Sequence, residues 1–247
     1  MNAIIIAAGS GKRISNDVRH TPKSLLKVNN KTLLDHQIEA LTKVGIENIT
    51  LIVGPYSEKF DSKNVEYVHD TNHDKHDILG SLMEAKDFLK NDVLVLYSDV
   101  IFEPQIIKQL LDSTANISIA VDSNWEIKYE GRTNHPKNEA ENVEINNDGK
   151  IIKIKKNIQS ENNDISEFLG IAKFSSLGID IFVSKYQELL KNHTGNFHEA
   201  PSISKAYLTD MFQELIDSKN TIEPVFISGK WCEIDTKQDL ENAETIF

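Results

Sequence analysis

Strand-like and helix-like segments alternate along this chain, and that alternation narrows the fold more than any single residue does. Short apolar runs at Ala3 to Ala8, Ile49 to Val53, Val93 to Tyr97, Ile117 to Val121 and Pro224 to Ile227 have the length and content of buried strands. Between the early ones, apolar residues fall at helical spacing: Leu33, Leu34, Ile38, Leu41 and Val44, then Ile78, Leu82, Ala85 and Leu89, then Ile106, Leu110 and Leu111. Strand, helix, strand, repeated, predicts an α/β fold with a mostly parallel sheet and helices on both faces. Ligands of such sheets sit beyond the carboxyl ends of the strands, so "GSGKR", "GPYS", "SDV" and "DSNW" are where chemistry is expected.

From Ser123 to Gly170 the pattern becomes a long polar segment holding "NNDGK", a hairpin turn between Val143 to Ile145 and Ile151 to Ile154. It reads as a lid or substrate-binding excursion within a single domain spanning residues 1–247. Helical patterns return at Asp180 to Lys191, Ser202 to Ile216 and the closing "KQDLENAETIF".

The first strand runs into "AAGSGKR", a glycine loop whose amides can face oxyanions. A P-loop would need Gly where Ile6 stands and Ser or Thr where Arg13 stands, and a dinucleotide fingerprint would need Gly at Ile14, so neither applies. What remains is a loop with two cations on its exit, Lys12 and Arg13, followed by "TPKSLL", in which Pro22 presents Lys23 from an ordered turn. Arg13 and Lys23 together suit a triphosphate, as catalytic clamps on the attacked phosphorus and the leaving pyrophosphate. A net charge of -11 argues against a nucleic acid or anionic membrane as partner, so an anionic ligand is small and locally clamped. One cysteine, Cys232, and an N-terminal apolar run too short for a leader point to a cytoplasmic protein.

Asp99 follows a hydrophobic strand, and Glu233 and Asp235 lie two apart in "CEIDT", on one face if that segment is extended. Carboxylates at strand ends suit Mg2+; the alternative makes Asp99 a turn residue and Asp235 the N-cap of the last helix. In the excursion, Trp125, Arg132, His135 and Glu167 could bind an acceptor, with the aromatic face and carboxylate meeting an amine; the alternative is packing for Trp125 and surface charge for Glu167. The spacing of His69, His73 and His76 could suggest zinc, but the stretch is polar throughout and lacks a second ligand cluster, so it reads as a loop.

"AAGSGKR", "PKSLLKVNNKTLLDHQIEAL", "SDV" and "EIDT" ahead of "QDL" resemble, from end to end, the nucleotidyltransferases that activate sugar phosphates and related small anions. Within that group "PKSLL", "SLMEA" and the late "CEIDT" look more like bacterial cytidylyltransferases, such as those for choline phosphate and for phosphonates, and "NWEIKYEGRTNHPKNEAENV", "IKKNI" and "SEFLGIAKFS" resemble the cytidylyltransferases found with phosphoenolpyruvate phosphomutase in phosphonate biosynthesis. The resemblance implies a Rossmann-like sheet of the nucleotide-diphospho-sugar transferase type and CTP and a small phosphonate as substrates, 2-aminoethylphosphonate fitting an ammonium-bearing acceptor. It also implies Mg2+ as cofactor and pairing of two copies. By the same resemblance Ala8, Gly9, Ser10, Gly11, Lys12, Arg13, Lys23, Gly80 and Ser81 hold the nucleotide. Asp99 and Asp235, with Glu233, hold the metal, and Lys156 meets the phosphonate. A transferase for choline phosphate or a sugar 1-phosphate, and an idle nucleotide-binding regulator, are the other readings.

Overall fold

The computed structural model of the protein describes residues 1–9 and 21–247. In chain order its elements are β1 (Asn2–Ala7), β2 (Lys27–Val28), β3 (Lys31–Thr32), α1 (Leu33–Lys43), β4 (Asn48–Val53), β5 (Glu66–His69), α2 (Ile78–Glu84), β6 (Val93–Tyr97), β7 (Val100–Phe102), α3 (Pro104–Asp112) and β8 (Ile117–Asp122). The second half adds β9 (Glu141–Ile145), β10 (Ile151–Lys156), β11 (Asp164–Phe174), α4 (Ser176–Asn192), α5 (Leu208–Asp217), β12 (Glu223–Phe226), β13 (Trp231–Glu233) and α6 (Lys237–Ile246).

The main sheet runs β10-β9-β11-β6-β1-β4-β5, with β8 and β12 branching from β11. β1 is parallel to both β4 and β6, and β4 to β5, as strand–helix–strand units dictate. β11 is antiparallel to β6, β8 and β9, so the sheet is mixed. Strands covered on both faces need no alternation, which is why β1 reads as a continuous apolar run and β4 as one broken only by Thr50. One apolar cluster packs α2, α4 and α5 against one face through Phe174, Phe182 and Phe212; a second packs α1 and α3 against the other. Helix starts are set locally: Thr32 caps α1 by accepting from the Asp35 amide at 3.0 Å, and Pro104 opens α3.

β11 is the longest strand that sequence periodicity does not give. It is buried on both faces over most of its length, and residues 164–170 lie inside the segment read as an excursion. Its first half pairs with β9 and its second half with β6 along the same edge; between the two, Gly170 adopts φ +72° with the Tyr97 ring against its Cα. The β9–β10 hairpin therefore extends the sheet beyond the carboxyl ends of β1 and β6 and forms a wall there. Among the described residues no helix is long and apolar enough to cross a membrane.

Candidate active site

The wall and the strand ends enclose a cavity of about 750 Å³. Ala8 and Gly9 lie at its rim, on the exit of β1; the remaining glycine-loop positions expected to hold nucleotide, Ser10, Gly11, Lys12 and Arg13, lie outside the described residues. Lys23 reaches the cavity from a single 3-10 turn behind Pro22, held by the Leu25 amide to the Pro22 carbonyl at 2.9 Å.

Asp99 sits in the turn between β6 and β7. Asp235 is carried beside it because β13 pairs antiparallel with β7, Glu233 opposite Val100, and the Ile234 amide donates to the Asp99 carbonyl at 2.9 Å. The Lys23 ammonium lies 2.8 Å from Asp99 Oδ2 and 2.6 Å from Asp235 Oδ1, joining residues 76 and 212 positions apart. Burial disfavours a charged lysine there, but the two carboxylates outweigh it and raise the Lys23 pKa above its ordinary value. Asp235 is buried too, yet the hydrogen bond from His135 Nδ1, at 2.9 Å from Oδ2, and the Lys23 charge hold its carboxyl far below the usual range. Asp235 is not the helix cap: Thr236 caps α6, and Asp239 Oδ2 accepts from the Thr236 amide at 2.8 Å and the Asp235 amide at 3.1 Å.

A buried glutamine fixes the Asp99 turn. Gln37 of α1 donates to the Tyr97 carbonyl at 2.7 Å and the Val100 carbonyl at 2.6 Å, clamping the backbone on both sides of Asp99. Its signal in sequence is one polar residue at a core position of an amphipathic helix.

The opposite part of the cavity is acidic. Glu167, buried, accepts from Tyr129 Oη through Oε1, while Oε2 has no hydrogen-bond partner among the described residues. Glu233 lies between the groups: its Oε2 is 3.4 Å from Arg132 Nη2 and 3.8 Å from His135 Nε2. Burial, reinforced by Asp235 and Asp99, pushes Glu233 up to about 7; burial and Glu233 raise Glu167 well above the carboxylate range; burial lifts Glu141 to about 8 against the pull of Lys156.

The expected acceptor residues divide by placement. His135, Glu167 and Lys156 line the cavity, Lys156 Nζ also reaching Glu139 at 2.9 Å. Trp125 does not: its ring is buried against Tyr129, with Nε1 donating to the Ile165 carbonyl at 3.1 Å, because the short helix it opens folds back on the sheet. Arg132 is likewise off the cavity wall, its Nε 2.8 Å from Asp239 and its guanidinium 4.7 Å from the Tyr129 ring centre, strapping the loop before β9 to α6. The aromatic residue that does line the cavity is Trp231 of β13, oriented by Nε1 donating to Asp122 at 2.8 Å. Glu141, Lys205 and Trp231 were not singled out from sequence, since only long-range pairing brings them there. Cys232, half-buried on the same strand, has its thiol pushed up to about 11 by burial.

Gly80, expected beside the nucleotide, packs closely against a neighbour and is not in the cavity lining: a Cβ there would lie 2.4 Å from His76 Cγ. His76 Nε2 and Ser81 Oγ meet the buried Asp70 carboxylate at 2.8 and 2.7 Å, and His76 and Ser81 then face the cavity. His73 lines the cavity as well. Among the described residues the groups able to offer several metal ligands are Asp70, His76 and Glu84, and His135, Glu233 and Asp235.

Comparison with known proteins agrees with this architecture. The chain is 29% identical over 254 residues to the CTP:phosphoglutamine cytidylyltransferase of Campylobacter jejuni, covering 98% of each chain. It is 30% identical over 118 residues, 44% of this chain and 19% of the relative, to the CMP-5'-(3-aminopropyl)phosphonate synthase of Streptomyces rubellomurinus. The solved CTP:phosphocholine cytidylyltransferase of Streptococcus pneumoniae shares the fold, with a TM-score of 0.72 at 23% identity over 99% of this chain and 98% of that one. Residues 3–145, more than half of the chain and including Lys23, Asp99 and His135, match the MobA-like NTP transferase domain, and the chain belongs to that family.

Proposed function

We propose that the protein transfers CMP from CTP to a small phosphoryl acceptor with release of pyrophosphate, and that the acceptor carries an ammonium group, an aminoalkylphosphonate such as 2-aminoethylphosphonate being favoured. The observation that carries this reading is one cavity with a cation-and-carboxylate centre, Lys23 with Asp99 and Asp235, on one side and an acidic lining on the other. The choice of CTP draws on the names of the Campylobacter and Streptomyces relatives, whose phosphoglutamine and aminopropylphosphonate acceptors both join a phosphoryl group to a nitrogen-bearing body.

In this reading an acceptor oxygen on phosphorus attacks the α-phosphorus of CTP in line. The new P–O bond forms as the bond to the β-phosphate oxygen breaks, and pyrophosphate leaves with that electron pair. A phosphonate dianion is already nucleophilic near neutral pH, so positioning and charge neutralisation are the protein's tasks. Lys23 faces the triphosphate, with Arg13, outside the described residues, as the second clamp expected from sequence; Lys156 meets the acceptor's phosphoryl oxygens. Glu141, Glu167 and Glu233, whose carboxyls are held toward the protonated form by burial, are the groups that an arriving ammonium draws back to the charged form, and Trp231 gives the apolar surface beside them.

Asp99 and Asp235 fit a magnesium ion. Both offer hard oxygen donors at one point, and Asp99 Oδ1 is buried without a hydrogen-bond partner among the described residues. When bound, the ion adds positive charge beside the triphosphate.

The test is pyrophosphate release across the four NTPs with 2-aminoethylphosphonate, phosphoglutamine, phosphocholine and glucose 1-phosphate. Release is expected with CTP and the ammonium-bearing acceptors. Preference for glucose 1-phosphate overturns the acceptor assignment, and no release with any pair favours a nucleotide-binding regulator.

A further inference from the structure

Lys23 is engaged twice over. Its ammonium spends two of three N–H donors on Asp99 Oδ2 and Asp235 Oδ1, at 2.8 and 2.6 Å, yet the proposed reaction needs the same group on the triphosphate. It also stands between the two carboxylates assigned to the divalent ion, and two cations cannot share that position without repulsion.

The surroundings fix everything but the lysine side chain. Asp235 is held from its other oxygen by His135 Nδ1 at 2.9 Å and through its own amide by Asp239 at 3.1 Å. The Asp99 turn is clamped by Gln37 and by the Ile234 amide. The Lys23 backbone is tied into its turn by the Leu26 amide, which donates to the Lys23 carbonyl at 3.0 Å. A singly charged ammonium also leaves the carboxylate pair one positive charge short, and Asp99 Oδ1 unbonded among the described residues.

We propose that Lys23 is an exchangeable placeholder cation. Without metal it bridges Asp99 and Asp235 and suppresses their repulsion; when the divalent ion takes over the carboxylates, the lysine is released toward the nucleotide's phosphates. Metal and nucleotide then favour each other's binding, because the phosphates give the displaced ammonium a new partner and the linkage is reciprocal. The inference rests on the reading of Asp99 and Asp235 as the metal-holding pair.

Mn2+ alone, titrated into nucleotide-free protein with the free ion counted by EPR, tests it. Lys23→Met is expected to bind Mn2+ at least about tenfold tighter than the wild type, since a competing unit charge is gone. Adding Asp99→Asn to Lys23→Met is expected to abolish the gain. Equal or weaker binding by Lys23→Met, with Asp99→Asn still lowering affinity, overturns the placeholder and leaves the metal pair standing. Indifference of Mn2+ binding to Asp99→Asn overturns the metal pair and the placeholder with it. If near-UV circular dichroism shows Lys23→Met misfolded, Lys23→Gln, which keeps an uncharged donor, makes the same comparison. A lysine that only stabilised the fold would not raise metal affinity on removal.

Discussion

Lys23 could be picked out of the sequence because Pro22 sets the turn that presents it, Asp99 because it follows an apolar strand, and Asp235 because it stands two residues from Glu233, while their convergence rests on contacts no local pattern encodes. If Lys23 faces charge developing on the triphosphate, Lys23→Ala should lower turnover about a hundredfold or more, the effect of losing one such donor. Steady-state kinetics with CTP and the acceptor check this; normal turnover in folded variant would end the assignment. Glu141 gives a second expectation. Its folded pKa is raised from the ordinary 4.5 to about 8, so the folded protein holds a proton that the unfolded chain releases. The resulting loss of stability is absent below pH 4.5, grows as pH rises between the two values and is complete above 8. Glu141→Gln should therefore raise Tm at pH 8.5, by about 2–4 °C per kcal/mol recovered, and change it little at pH 4. An equal gain at both pH values would count against a half-buried, protonated Glu141.

Helices and strands differed in how plainly they showed themselves. α1, α3 and the parallel strands follow from periodicity because one stripe or both faces are buried, and "DTKQDL" carries a capping box that starts α6. β11 was hidden because polar Asp164, Ser166 and Glu167 interrupt its apolar residues, the last of them serving the cavity and not the core. β13 was hidden by brevity, since three residues with one partner strand carry no period. That explains why Trp125 was a reasonable candidate and Trp231 the residue found in the wall: the choice depends on which segment returns to the strand ends. Gln37 on α1 illustrates an element acting at a distance. Gln37→Leu removes both hydrogen bonds to the Asp99 turn at a cost of about 1–3 kcal/mol, and kcat should fall more than the KM for CTP changes. Rescue by Gln37→Asn is not expected, because the shorter side chain cannot span both carbonyls. A kcat equal to wild type would show that the turn holds itself.

Across the whole molecule, the start, middle and end of the chain are sewn into one site. Val28, Leu33, Ile101, Ile234 and Ala243 form a small core of their own, drawing on segments from both ends. Removing residues 230–247 should expose that core, increase binding of a hydrophobic dye and abolish turnover while leaving the larger sheet folded; retained turnover would mean that Asp235 is dispensable. Acceptor binding should depend on the same closure: Arg132→Met cuts the strap to Asp239, and the KM for the acceptor should rise by on the order of tenfold with that for CTP little changed. The contact between Lys23 and Asp235, 212 positions apart, also sets an order of events during synthesis. The parallel strands can assemble on the ribosome with a half-built cavity, but no nascent chain can transfer a nucleotide until the segment carrying Asp235 has emerged and docked. Competence thus waits on the docking of that one segment, and copies that lack it stay silent.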